Sequence, residues 1–271
     1  MAALLTVRAI HATGVEVPMV RPLGTSVQTM RTAPLLLIDL ETEEGITGHA
    51  YLFCYTRMAP GLIAAVLADI QDAVRGERLA PIDLSTRLLQ RHRLLGAQGI
   101  VRMALAGFDV ACWDALSLAA GLPLASYIGS QPRPIPAYNS NGLGLMSPEQ
   151  AADEAEALLE QGFRAVKLRL GRATPEEDLA VVRAVRRRLP DTVALMTDYN
   201  QALTVTEAIR RGQTLDVLDR GTHPPRRLCR LRADRRRAGG RRLRLRDAGP
   251  GTDRRRHGVA ARRGVGLGGG D

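Results

Sequence analysis

The chain has 271 residues, 45% of them hydrophobic, enough for a sizeable core in one large or two smaller domains. Its formal charge of +10 belongs to one end: residues 220–271 hold 17 of the 38 basic and four of the 28 acidic residues, a net +13, whereas residues 1–219 carry −3. The overall charge therefore says nothing about partners of residues 1–219. Cys54, Cys112 and Cys229 are scattered, which excludes a disulfide framework or a cysteine zinc site. No run of about 18 apolar residues could span a membrane. The expectation is a cytoplasmic protein, neither exported nor membrane-bound.

In chain order, residues 4–18 and 34–54 read as strands, with Glu43-Glu44-Gly45 as a hairpin turn, giving an antiparallel meander. From Pro60 to Gly121 the period becomes helical: Leu62, Ala65, Val66 and Ile70 share one face, and Ile100, Met103, Ala104, Phe108, Ala111 and Leu116 another. Gly121 and Pro123 stop the last helix. Residues 1–130 thus form an α+β domain.

From Ile135 the grammar is strand, loop, helix, three times over. Residues 135–140, 165–170 and 193–200 are expected strands. Helices follow at the capping-box spacings Ser147-Pro-Glu-Gln150, Thr174-Pro-Glu-Glu177 and Thr204-Val-Thr-Glu207. Three βα units in residues 131–217 imply a parallel sheet, the beginning of a TIM-like barrel whose third strand is left as an open edge.

Lys167 and Arg169 lie two apart on one face of the second strand, with Val166, Leu168 and Leu170 on the other. Lys167 is the sole lysine of the protein. Asp198 and Asn200 share a face at the C-terminal end of the third strand, where barrel active sites are built. Two cations opposite a carboxylate suit an anionic substrate beside a divalent metal, and equally a structural ion pair; spacing leaves both open. Ser140 could donate to a bound carboxylate or cap a turn. His11, His49 and His92 stand singly and read as structural. Gly142-Leu-Gly144 lacks the other glycines of a dinucleotide loop.

Taken together, Thr32-Ala-Pro-Leu-Leu-Leu-Ile-Asp-Leu40, Tyr51-Leu-Phe-Cys-Tyr-Thr56, Trp113-Asp114-Ala115, Gly162-Phe-Arg-Ala-Val-Lys167 and Asp198-Tyr-Asn-Gln201 resemble the enolase superfamily, in its mandelate racemase branch. The resemblance covers residues 3–215 and implies an α+β capping domain followed by a (β/α)7β barrel. It implies abstraction of the proton α to a carboxylate, assisted by Mg2+, on a small carboxylate substrate by a racemase or acid-sugar dehydratase, usually in a homo-oligomer. Asp198 matches the first metal ligand, and Ser140 and Asn200 match polar groups around the substrate. Tyr55 and residues 20–32 match the part of the capping domain that closes over the site. Lys167 matches the first lysine of the family's Lys-x-Lys motif, which contacts the substrate carboxylate. Arg169 replaces the second, the base in racemases, and an arginine is a poor proton acceptor at neutral pH. A dehydratase using a base on the other face is then the more natural reading. That base and the remaining metal ligands belong to later strands.

Residues 218–271 contain no Phe, Trp, Tyr, Ile, Met or Glu, a composition that does not support a core. The family's next strand bears Trp-Ile-Glu-Glu-Pro. Codons permitted for residues 218–229, read one base later, can encode Trp-Ile-Glu-Glu-Pro-Thr-Leu-His-Asp-Asp-Tyr-Ala. A frameshift near Leu218 is therefore expected, with an out-of-frame, disordered tail and a chain that is inactive and binds Mg2+ poorly. Two other readings are nonspecific nucleic-acid binding by the arginine-rich tail, without a specific nucleic-acid partner, and a capping-domain interaction fragment.

Overall fold

Strands β1 (Val7–Gly24), β2 (Thr29–Thr42) and β3 (Thr47–Phe53) form an antiparallel sheet in that order. The structure is a computed structural model that describes residues 4–25, 28–220 and 228–229. The period-two pattern holds: Leu36, Ile38 and Leu40 are buried, and Leu37 between them is exposed. Gly45, at φ +82°, makes the β2–β3 turn. The strands reach further than the sequence pattern, so that Leu23 pairs with Met30 and Gly24 with Thr29 in a two-stranded arm.

Helices α1 (Ala59–Val74), α2 (Pro81–Arg91) and α3 (Ile100–Ala119) follow, then the single turn α4 (Leu124–Tyr127). The buried stripe of α1 is Ala59, Ile63, Leu67, Ile70 and Val74, and Leu62 is exposed. Of the expected face Leu62, Ala65, Val66 and Ile70, Ile70 is buried, whereas Leu62 and Ala65 are exposed and Val66 is half-buried, so its first part is out of phase by one residue. This helix is apolar on several sides, so period alone does not choose the side that meets the sheet. Two glycines seat α3: a Cβ on Gly48 would lie 2.1 Å from the Ala111 carbonyl oxygen, and one on Gly107 would lie 2.4 Å from Ile38 Cδ1. Helix backbone thus rests directly on strand backbone, with Phe108, Ala111, Cys112 and Ala115 closing the first core. Gly121, at φ +64°, lies just past the end of α3, as its sequence implies.

The second core lies under a parallel sheet of β4 (Ala165–Arg169), β5 (Ala194–Asp198) and β6 (Leu228–Cys229). Helices α5 (Pro148–Ala157) and α6 (Pro175–Arg188) begin at Ser147 and Thr174 with both halves of the capping box formed. Thr204 and Glu207 exchange the same bonds at the start of α7 (Val205–Arg220). Val166, Leu168 and Leu170 are fully buried against Ala151, Ala155, Val181 and Val185, which leaves Lys167 and Arg169 on the opposite face.

Further expectations are corrected. Residues 135–140 do not form a strand: Asn139 alone bridges to Val166, in parallel register. Pro132, Pro134 and Pro136 lack the N–H groups a ladder needs. The three βα units are therefore two strands with helices, preceded by one bridging residue. Nor is β5 an open edge throughout, since Leu195 and Met196 pair with Leu228 and Cys229. The disordered tail expected from residue 218 is corrected in part, since helix α7 runs through Leu218 to Arg220 and Leu228–Cys229 form β6; residues 221–227 and 230–271, and with them the nucleic-acid reading, lie outside the described residues. No helix among the described residues is long and apolar enough to cross a membrane. Cys54 and Cys112 are buried free thiols.

Candidate active site

Parallel register sets Arg169 beside Asp198 and Lys167 beside Met196, so the cation face of β4 meets the carboxylate at the C-terminal end of β5. Lys167 Nζ stands 3.2 Å from Asp198 Oδ2, with the two side chains 17% and 19% exposed. The ammonium also lies over the Tyr138 ring, 5.6 Å from its centroid. The other carboxylate oxygen, Oδ1, accepts the Asn200 backbone N–H at 2.9 Å, an Asx turn. Asn200 and Gln201 consequently sit in the left-handed region at φ 46° and 66°. Asn is among the residues that tolerate this conformation, whereas Gln201 is strained. Asn200 Oδ1 is buried without a hydrogen-bond partner among the described residues.

Arg169 is buried, and its guanidinium donates to the carbonyls of Ser140, at 3.3 Å, and Gly142, at 2.5 Å. Burial lowers its pKa from the usual arginine value, an effect opposed by the charge of Asp198. Its Nε is buried and unpartnered among the described residues. Ser140, half-buried, thus contributes its carbonyl to Arg169. Tyr55 adopts φ 63°, stacks edge-on against Phe53 with centroids 5.0 Å apart, and accepts a bond from Gln28 Nε2 through its carbonyl. The structure therefore brings Lys167, Arg169, Ser140, Asp198 and Asn200 together, while Tyr55 is anchored to the arm and to β3.

Two carboxylates that the sequence pattern did not single out organise the surroundings. Glu154 of α5 pairs with Arg21 of the arm at 2.8 Å and accepts the Leu143 N–H at 2.7 Å. Asp178, in the first turn of α6 and 1% exposed, accepts from the Gly171 and Arg172 backbones and pairs with Arg211 of α7 at 2.8 Å. Arg211 lies over the Tyr199 ring, and burial pushes the Tyr199 phenol up to about 12. A faint signal existed for Glu154, a charge among Ala151, Ala155 and Leu158. Asp178 looked like one of three acids at a helix N-terminus, and only packing distinguishes it.

The donor set does not make up a Mg2+ site. Mg2+ requires several oxygen ligands in near-octahedral array. Asp198 faces an ammonium and a backbone N–H, and no group of three His, Cys, Asp or Glu side chains that could hold a metal occurs among the described residues. His11, His49 and His92 lie beside Glu41, Asp39 and Asp69 respectively, away from these strands.

Residues 9–129 match the family model for the mandelate racemase / muconate lactonizing enzyme N-terminal domain, and residues 150–220 match the enolase C-terminal domain-like model. The chain belongs to the mandelate racemase / muconate lactonizing enzyme family of the enolase superfamily. Family relatives include L-talarate/galactarate dehydratase of Salmonella typhimurium, 31% identical over 73% of this chain and 52% of that protein. L-Ala-D/L-Glu epimerase of Bacillus subtilis is 26% identical over 74% of this chain and 54% of the other. Among solved structures, an enolase from Bradyrhizobium complexed with magnesium and mandelic acid superposes with a TM-score of 0.74 at 38% identity. That match covers 81% of this chain and 60% of the other. The chain spans about half the length of the two sequence relatives.

Proposed function

We propose that this sequence encodes the first part of an enzyme that removes the proton α to a carboxylate, acting on a 2-hydroxy or sugar acid as a racemase or dehydratase. The observation that carries the reading is the pairing of Lys167 with Asp198 across adjacent parallel strands, 3.2 Å apart at the barrel's C-terminal end. In this reading Lys167 holds the substrate carboxylate and Asn200 and Ser140 line its polar end. Arg169 supplies fixed positive charge rather than a base, and Tyr55 belongs to the covering part of the capping domain. The mandelic acid and galactarate named for relatives indicate the substrate class. Mg2+ would be needed to stabilise the enolate; Asp198 is one candidate ligand, and the others are proposed to lie in strands that this reading frame does not encode.

We further propose domain limits at residues 130 and 217, with the 271-residue chain inactive because of a frameshift near Leu218. The match to the C-terminal model ends at residue 220, where the arginine-rich stretch begins. The test is α-proton exchange in D2O, followed by NMR with Mg2+ and a panel of 2-hydroxy and sugar acids. It compares the 271-residue chain with the product of the gene reopened by one base at codon 218. Exchange by the second protein alone is expected. A folded frame-restored protein that leaves every α-proton in place would overturn the reading, as would exchange by the 271-residue chain.

A further inference from the structure

The loop after Asn139 is held from two sides. On one side, Gly142 and Ser140 give their carbonyls to Arg169, and the Leu143 carbonyl accepts the Arg169 backbone N–H at 2.9 Å. On the other side stands Glu154, whose two carboxylate oxygens have separate tasks. Oε2 accepts the Leu143 N–H at 2.7 Å, and Oε1 accepts from Arg21 of the arm at 2.8 Å.

Two backbone features show that this contact is built in. Gly142 is at φ +64°, and a Cβ there would lie 2.5 Å from Glu154 Oε1, so the carboxylate lies where a side chain would otherwise project. Leu143, at φ 47°, is a non-glycine residue in the left-handed region with a fully buried side chain. Arm and loop also meet directly: a Cβ on Gly144 would lie 2.9 Å from Gly24 N and 3.0 Å from Gly24 O. Glu154 is thus the shared partner of the arm and of the loop that braces Arg169.

We propose that Glu154 is a positioning residue that couples the seating of the β1–β2 arm to the geometry of Arg169 and Lys167. Its charge fixes Arg21, its second oxygen fixes Leu143, and the loop between them transmits the position to Arg169 beside Asp198. The coupling is a property of the described contacts and does not depend on the reaction proposed above.

The 271-residue chain carries its own reporter, because Lys167 is the sole lysine and lysine labelled with carbon-13 at Cε alone yields a single side-chain carbon signal, at the site. Two readouts are compared in the wild type, Glu154→Gln and Arg21→Met: amide hydrogen exchange of Leu23 and Gly24 in the arm, and the Lys167 NMR signal. Glu44→Gln, which alters an equivalent carboxylate-to-backbone bond to Thr6, serves as the control. Glu154→Gln is expected to speed arm exchange about tenfold and to shift the Lys167 signal, with Arg21→Met giving the same two changes and Glu44→Gln neither. Should Glu154→Gln fail to fold, Arg21→Met on the partly exposed arm decides alone. Arm exchange at the wild-type rate in the folded variants would overturn the proposal. So would a loosened arm with an unmoved Lys167 signal, which would make the contact structural without coupling.

Discussion

Lys167 on β4 reaches across to Asp198 on β5, leaving 3.2 Å between Nζ and Oδ2, and both side chains are more than four-fifths shielded from water. Removing one member of such a pair strands the other in a low-dielectric setting, whereas removing both does not. Lys167→Met and Asp198→Leu should each destabilise the chain, and the double variant should lose less than their sum. Urea denaturation is expected to give a coupling of about 0.5–3 kcal/mol; additivity would mean that the pair is not formed.

Gly48 and Gly61 predict opposite responses to the same substitution. A Cβ on Gly48 meets the Ala111 carbonyl and Ala115 backbone of α3, whereas one on Gly61 meets nothing within 4 Å. Gly48→Ala must push α3 off the sheet and is expected to destabilise by about 3 kcal/mol. Gly61→Ala, in the first turn of α1, should stabilise by about 0.5–1 kcal/mol through helix propensity. Thermal unfolding monitored by the sole tryptophan, Trp113 on α3, reads both effects.

Asp178 is nearly inaccessible and carries two backbone N–H groups and two arginines. Asp178→Asn keeps the shape but removes the charge that balances Arg211, with an expected loss of about 3–5 kcal/mol by denaturant titration. A loss below about 0.5 kcal/mol, the range of ordinary surface substitutions, would show that the α6–α7 link is slack.

Tyr199 gives the alkaline limit a defined sign. Its phenol is raised to about 12 in the folded protein by burial, from an ordinary value of 10.0. The unfolded chain therefore releases this proton first as pH rises. The contribution is intact below pH 10 and is lost progressively between about 10 and 12. Denaturation midpoints should fall across that window, and Tyr199→Phe should make the fall shallower. An unchanged slope in the variant would remove Tyr199 as the cause.

Calorimetric titration of the 271-residue chain with Mg2+ should give no micromolar binding, because Asp198 is the one carboxylate presented by the described part of the two strands. Micromolar affinity would require further ligands and would contradict the donor count.

Local grammar accounts for much of the architecture. The alternation at Leu36, Ile38 and Leu40, the capping boxes at Ser147 and Thr174, and the Val166, Leu168 and Leu170 face each follow from periods and spacings that neighbouring residues impose on one another. The same alternation placed Lys167 and Arg169 on one side of β4 and directed attention to Asp198. Pro136 inside residues 135–140, with Pro132 and Pro134 just before them, is the local signal against a strand there, and the strand expectation leaves it out of account.

The sequence by itself determined most of the helices and strands, the apolar faces of β2 and β4, that the net positive charge is confined to one end, and the family. Tertiary structure alone decided the phase of α1, the reduction of residues 135–140 to one bridge at Asn139, and the roles of Glu154 and Asp178. The physical reason is range. Periods and caps are set by residues three or four apart, whereas Arg21 and Glu154 are 133 positions apart, and nothing local distinguishes a carboxylate that will meet an arginine from one that will meet water.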